Sequence, residues 1–287
     1  MKCSDINIRD PFVLYEDGVY YMYGTRAAGF GKKVGGFDVY TSRDLIYWSE
    51  PIECFNSEAH GMNVCVNWAP EVHKYKGAYY MLATFTREAC GLRATFILRA
   101  DSPLGPFVPH SDGAVTPESW ECLDGTLYIA EDGKPYTVFC HEHTQIIDGS
   151  ICYLPLSDDL RRADGEPIVL FHASEPYWIC EKKEGVHYVT DGPFLHRCKN
   201  GELYMIWSTF IGGKYAECLV KFEGGKLYTS FTHLPPLMSD DGGHGMIFEG
   251  ERGLYLTLHT PNKSGLERPA FIKLSEVDGE IKIAERQ

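Results

Sequence analysis

A chain of 287 residues with 44% hydrophobic and 13% aromatic residues has ample material for a sizeable core, in one large domain or two ordinary ones. Its formal net charge of −13 argues against a nucleic-acid partner, because no phosphate-neutralising surface is implied. No run approaches the ~18 consecutive apolar residues of a membrane-spanning helix, and 18 tyrosines favour strands over helix bundles.

The first residues, MKCSDINIRD, lack the apolar run of a secretory leader. The ten cysteines are scattered, with no C-x-x-C pair, which speaks against a zinc site. Cys140 in YTVFCHE and Cys152 in SICYL sit in apolar runs and read as buried thiols. Reduced cysteines without a leader set the expectation of a cytoplasmic protein.

In chain order, RDPFVLYEDGVYYMYGT (9–25) has an Asp-Pro start, a short strand, a turn ending in glycine and an aromatic-rich second strand. Four later segments repeat that plan: WAPEVHKYKGAYYMLATF from Trp68, LDGTLYIAEDGKPYTVFCHE from Leu123, TDGPFLHRCKNGELYMIWSTF from Thr190 and GGHGMIFEGERGLYLTLHTPN from Gly242. The turn glycines are Gly18, Gly77, Gly133, Gly201 and Gly253, where tight hairpins favour positive φ. Further strands are expected in GFDVYTSRDLIYW, ATFILRADSPLGPF, GSICYLPLSDDL, YAECLVKFEGGKL and ERPAFIKLSEVDGEIKIAE. No 3.6-period pattern longer than two turns occurs. A repeat of roughly 53 to 67 residues suits a four-stranded propeller blade, so residues 1–287 are expected to form a single all-β, five-bladed β-propeller.

Aligned by their turns, the hairpins place Asp10, Ala69, Asp124, Asp191 and His244 at near-equivalent positions, at the channel end of the innermost strands. One such aspartate is readily explained as an Asx-turn. Three carboxylates crowded in register, beside a histidine, cost stability by mutual repulsion unless they have a task or a cation. Glycoside hydrolysis supplies such a role, in which one carboxylic acid protonates the leaving oxygen while a carboxylate works from the opposite face of the sugar. A hard cation on oxygen ligands is the rival use.

RDPFV, NWAPEV, LDGTLY, DGPFLHR…GELYMIWS and GGHG, in that order, resemble the blade-start motifs of glycoside hydrolase family 43 over nearly the whole chain. The resemblance implies a five-bladed propeller acting by inversion, mostly on arabinosyl and xylosyl linkages. It implies Asp10 as general base, Asp124 as the residue that tunes and orients the acid, and His244 beside a central cation (calcium) or an ordered water, with no cofactor required. Family members usually carry Glu before the Gly-Pro of blade four, where this chain has Asp191 in TDGPF. Aspartate is one methylene shorter, so its carboxyl sits roughly 1.3–1.5 Å further back.

Glu142 in FCHEHTQ, flanked by His141 and His143, therefore competes as the acid, and so does Glu121. The Glu121-Cys-x-Asp pattern is similar to the acid motif of the fructan-cleaving family 32, although that family's amino-terminal Trp-Met-Asn-Asp-Pro is missing. For substrate contacts the candidates are Glu71, the aromatic faces of Trp68, Trp120 and Trp207, and Arg268 in LERPAF. Each has a structural alternative: rim pairing for Glu71, packing between blades for the tryptophans, an ion pair with Glu267 for Arg268. Arg26 is either at the pocket or solvated, and KKVGG (32–36) is a loop without the strand–helix setting of a phosphate cradle. The expected partner is an oligosaccharide, with β-fructosides and β-galactosides as alternative substrates. Two non-enzymatic readings accompany this one: a sugar-binding propeller that has lost turnover, and a purely structural propeller.

Overall fold

Twenty strands make up five four-stranded antiparallel sheets in the computed structural model, which describes residues 1–27, 35–179 and 185–284. Cys180 and part of the KKVGG loop lie outside the described residues. Blade one is β1 (Ile8–Glu16), β2 (Val19–Arg26), β3 (Phe37–Ser42) and β4 (Ile52–Phe55). Blade two is β5 (Val64–Tyr75), β6 (Ala78–Arg87), β7 (Arg93–Ala100) and β8 (Val108–Pro109). Blade three is β9 (Cys122–Ile129), β10 (Pro135–His141), β11 (Ser150–Pro155) and β12 (Ile168–His172). Blade four is β13 (Asp191–Arg197), β14 (Leu203–Ile211), β15 (Lys214–Phe222) and β16 (Phe231–Met238). Blade five is β17 (Gly243–Gly250), β18 (Gly253–Thr260), β19 (Arg268–Val277) and β20 (Glu280–Ile283). The protein is a five-bladed β-propeller.

The five expected hairpins are the two inner strands of the five blades, and their turn glycines all have φ between 75° and 113°. The core lies between neighbouring sheets. Val138, Phe171, Met205 and Trp207 fill the seam of blades three and four, while Ile206, Leu219, Leu256 and Leu258 fill that of blades four and five. Cys140 and Cys152 are buried free thiols, and no disulfide occurs among the described residues. Every blade is contiguous in sequence, and no strand is exchanged to close the ring among the described residues. Closure is made by side chains: Arg9 of blade one pairs with the fully buried Glu267 at 2.9 Å, and Trp48 stacks on Phe271.

The feature that builds the site is a β-bulge repeated in each inner strand. Pairing slips by one residue between Arg9 and Phe12, Trp68 and Glu71, Leu123 and Thr126, Asp191 and Phe194, and Gly243 and Met246. Inside each bulge one residue is left-handed: Asp10 (φ 52°), Ala69 (46°), Asp124 (56°), Gly192 (48°) and His244 (51°). Each is followed by Pro or Gly. A bulge of this kind bends the strand and re-aims its side chain. Gly192, not Asp191, is thus the blade-four equivalent of Asp10, Asp124 and His244, and Asp191 stands one residue earlier, level with Arg9, Trp68, Leu123 and Gly243. The alignment by turns is off by one there because it ignores the left-handed residue before Pro193. Glycine is required at 192, since a Cβ would stand 2.7 Å from the His244 ring.

Candidate active site

The bulges are braced around the ring by second-strand side chains. Ala69 N–H donates to Thr25 Oγ1 of the preceding blade (2.8 Å), Asp124 N–H to Thr84 Oγ1 (2.8 Å) and His244 N–H to Ser208 Oγ (2.7 Å). At the closure, Asp10 N–H donates to His259 Nδ1 (3.2 Å). His259 must then be neutral with its proton on Nε2, facing Asn262 Oδ1 at 3.3 Å. Burial agrees, holding this imidazole down at about 4 against the pull of Asp10. In blade three the bracing position is Cys140, and Gly192 N–H turns instead to Asp124 Oδ2 (3.2 Å).

A cavity of about 250 Å³ opens over these bulges, lined by Arg9, Asp10, Trp68, Leu123, Asp124 and Asp191 from the inner strands, by His244, and by Arg93, Glu142, His143, Thr144, Val189 and Phe210 around the rim. His244 is at its centre of charge: Nδ1 is 3.3 Å from Asp10 Oδ1 and 3.8 Å from Asp124 Oδ2. Burial would lower this imidazole, but Asp10, Asp124, Asp191 and Glu71 raise it to about 9, so it is a cation at neutral pH. Burial likewise pushes the Asp10 carboxyl up, yet His244 and Arg9 with the Thr25 hydroxyl (2.6 Å) outweigh it and hold it below the ordinary range. Asp124 and Asp191 go the other way. Burial raises both, assisted by neighbouring carboxylates and only partly countered by His244. Asp191 Oδ2 accepts one bond from Tyr215 Oη at 2.9 Å.

The other acids of the mouth are tied down. Glu142 lines the cavity but accepts from Arg93 (2.8 Å) and Thr144 (2.8 Å) and faces His143 at 3.4 Å. Glu121 is outside the lining and is held by the same two residues, with Arg93 at 2.6 Å and Thr144 at 2.8 Å. Arg93 in turn lies over the Trp68 ring, 5.3 Å from its centroid. A carboxylate engaged by a guanidinium and a hydroxyl serves as an acceptor and orients the wall.

The remaining candidates fall elsewhere. Glu71 is buried and paired with His73 at 3.0 Å, acting on the site only through its charge on His244. Trp120 stacks on His141, and Trp207 is fully buried against Phe171, so neither lines the cavity. Arg268 donates to the Ser4 and Glu267 carbonyls, and Arg26 to Asp38, Glu53 and the Gly35 carbonyl. Both cations are spent on tying the chain together.

Glu217 is a site residue that the sequence motifs do not single out. It is a fully buried carboxyl on β15, accepting from Gly245 N–H (2.9 Å) and Ser208 Oγ (3.2 Å), the two groups that fix the His244 bulge. Burial pushes it up to about 8. A signal for it exists nonetheless: a lone acid inside the apolar run YAECLV.

A calcium ion at His244 would compete with the proton for the imidazole nitrogen, and calcium takes oxygen ligands, which here are the Asp10 and Asp124 carboxyls 3.3 and 3.8 Å from Nδ1.

Residues 5–279 match the sequence profile described as "Glycosyl hydrolases family 43". Among solved structures, the chain is similar to an endo-arabinase from Bacteroides thetaiotaomicron VPI-5482, with 37% identity, 98% of each chain covered and a TM-score of 0.87. It is similar in fold to a thermostable family-43 glycoside hydrolase, with 24% identity, 97% and 93% coverage and a TM-score of 0.84. The same holds for an α-L-arabinofuranosidase from Lactobacillus brevis, with 18% identity, 94% and 91% coverage and a TM-score of 0.75. Comparison with curated proteins gives no match.

Proposed function

Since the chain belongs to family 43 of the glycosyl hydrolases and is a glycoside hydrolase, we propose that it cleaves arabinofuranosyl or xylosyl linkages of short oligosaccharides with inversion, using Asp10 as base and Asp191 as acid. One observation carries the assignment: two carboxyls of a single cavity are driven in opposite directions, Asp10 down and Asp191 up. That is the division of labour that inversion needs. Asp10 stays ionised and takes a proton from the attacking water. Asp191 keeps its proton and hands it to the leaving oxygen. Asp124 accepts the Gly192 N–H beside Asp191 and so fixes the bulge that carries it. The His244 imidazolium, 3.3 Å from Asp10 and 3.8 Å from Asp124, balances the charge of the ionised Asp10.

Arabinose-containing substrates come first because of the similarity to the endo-arabinase. The cavity is below the ~300–1,000 Å³ of drug-sized ligand sites, which favours a short substrate over a long stretch of polymer. Trp68 and Phe210 offer the apolar faces against which a sugar ring can lie.

A sugar-binding protein without turnover is the second reading, favoured by the short Asp191 where the family resemblance implies glutamate. The test is a panel of p-nitrophenyl glycosides and arabino- and xylo-oligosaccharides, with NMR of the first-formed anomer. Asp10→Asn is expected to abolish turnover. Asp191→Asn should lose roughly 10²–10⁴-fold on natural leaving groups and much less on activated ones. Rescue of Glu142→Gln in place of Asp191→Asn would move the acid to Glu142, and sugar binding without hydrolysis would establish the second reading.

A further inference from the structure

At the face opposite the catalytic mouth, where β13 ends, an imidazole, a thiol and a carboxylate meet. His196 and Cys198 are two residues apart on extended chain and so project to one side. Arg197 between them turns away, to the Tyr128 hydroxyl (2.8 Å) and the Gly201 carbonyl (2.9 Å). Glu276 arrives from β19 of the next blade. One donor atom from each of the three lies within 4.8 Å of the others, the one such group of three ligand-bearing side chains among the described residues.

The three donors are underused. His196 Nε2 is shielded from solvent and has no hydrogen-bond partner, with Glu276 Oε2 3.7 Å away. Cys198 is buried, and its Sγ is 3.8 Å from the Gly279 carbonyl. The other oxygen of Glu276 accepts from Lys199 N–H at 2.8 Å, which orients the carboxylate. Neighbouring ammonium groups are engaged with other acids, Lys199 with Glu249 (2.8 Å) and Lys221 with Glu202 (3.3 Å).

We propose that His196, Cys198 and Glu276 form a binding site for a divalent transition metal, with Zn²⁺ as the preferred ion. Nitrogen, sulfur and one carboxylate oxygen are the donor set that zinc takes. Bonds of ~2.0–2.3 Å at tetrahedral angles need donors about 3.3–3.8 Å apart; His196 and Glu276 at 3.7 Å already meet this, and no pair need close by more than about 1.5 Å. The thiol proton is released to solvent on binding, and water fills the fourth position. The ion clasps the β13–β14 hairpin of blade four to the β19–β20 hairpin of blade five. Cysteine spacing gives no hint of it, because a strand supplies i and i+2 and the third ligand comes from another blade.

The experiment is titration of metal-stripped protein with Zn²⁺ by calorimetry and with Co²⁺ by absorbance. The expected result is one equivalent bound, a thiolate-to-cobalt charge-transfer band, and a rise in Tm with Zn²⁺. Cys198→Ser should remove the band, and His196→Ala and Glu276→Gln should each weaken binding at least tenfold. Glycosidase activity should be kept in all three. Circular dichroism checks each fold, and the partly exposed Glu276→Gln decides the matter if Cys198→Ser does not fold. Absence of stoichiometric uptake, or undiminished affinity in the variants, overturns the site. None of these readouts depends on which carboxyl is the catalytic acid.

Discussion

One contact separates Asp191 from its rival as proton donor. Tyr215 Oη donates to Asp191 Oδ2 at 2.9 Å, whereas Glu142 is held by Arg93 and Thr144. Tyr215→Phe removes the donor and leaves the ring, which stacks on His259 with centroids 5.6 Å apart. A hydrogen bond to a charged group contributes ~1.5–3 kcal/mol. At 1.36 kcal/mol per pKa unit, its loss should raise the Asp191 carboxyl by about one to two pH units. The bond favours the ionised form, so the sign is upward, on top of the rise that burial already imposes.

A general acid works while protonated, so activity falls as pH rises through its pKa. The alkaline limb of kcat/KM against pH should therefore move to higher pH by about one to two units in Tyr215→Phe, with the acidic limb in place. The limb is a macroscopic property of a coupled group of acids, but Tyr215 bonds to Asp191 among them. The assay uses a substrate with an unactivated leaving group, so that proton donation limits the rate. An alkaline limb that stays put, or moves to lower pH, refutes Asp191 as the acid.

The opposite limb should answer to Thr25, whose hydroxyl donates to Asp10 Oδ2 (2.6 Å) and accepts from Ala69 N–H (2.8 Å). Thr25→Val should cost roughly 1–3 kcal/mol of stability through the orphaned buried groups and shift the acidic limb to higher pH as Asp10 rises; an unchanged chemical-denaturation midpoint would count against the brace. Stability itself should fall between pH 4.5 and 9, because the buried groups with raised values, Glu217 and His244 among them, lose their protons over that range. Glu217 contributes stability that is complete below its unfolded value near 4.5 and lost as pH rises through about 8, and His244 stability complete below 6.5 and lost through about 9. A Tm that is flat over this window, or a slope that Glu217→Gln leaves as steep, would contradict those shifts.

The blades are legible in the sequence because their signal is local: a polar start, a turn glycine with positive φ, and an aromatic second strand. The outermost strands are not individually assigned by it. β8 is two residues long, and edge strands like β12 and β16 carry little periodic burial to announce them. Asp10, Asp124 and His244 are readable for the same local reason, each preceding the Pro or Gly of its bulge. What fails is range. Trp120, Trp207 and Arg268 stand at promising ends of strands, but whether a side chain turns to the channel or to the next blade depends on the neighbouring sheet. Trp207 meets Phe171 of blade three, and Arg268 meets the carbonyl of Ser4.

Ring closure and catalysis occupy the same place in this molecule. A propeller without strand exchange must join its first and last blades through side chains, and here those contacts run through the residues flanking Asp10. Arg9 reaches the buried Glu267 and Asn262, and the Asp10 amide reaches His259. Arg9 is also among the charges that act on the Asp10 carboxyl. The pair Arg9–Glu267 is costly to desolvate, and an apolar pair of similar volume would close the ring as well. Such a pair could not put a guanidinium next to Asp10. The ionic closure therefore makes sense as part of the site: the contacts that seal the last blade to the first also help keep the base ionised.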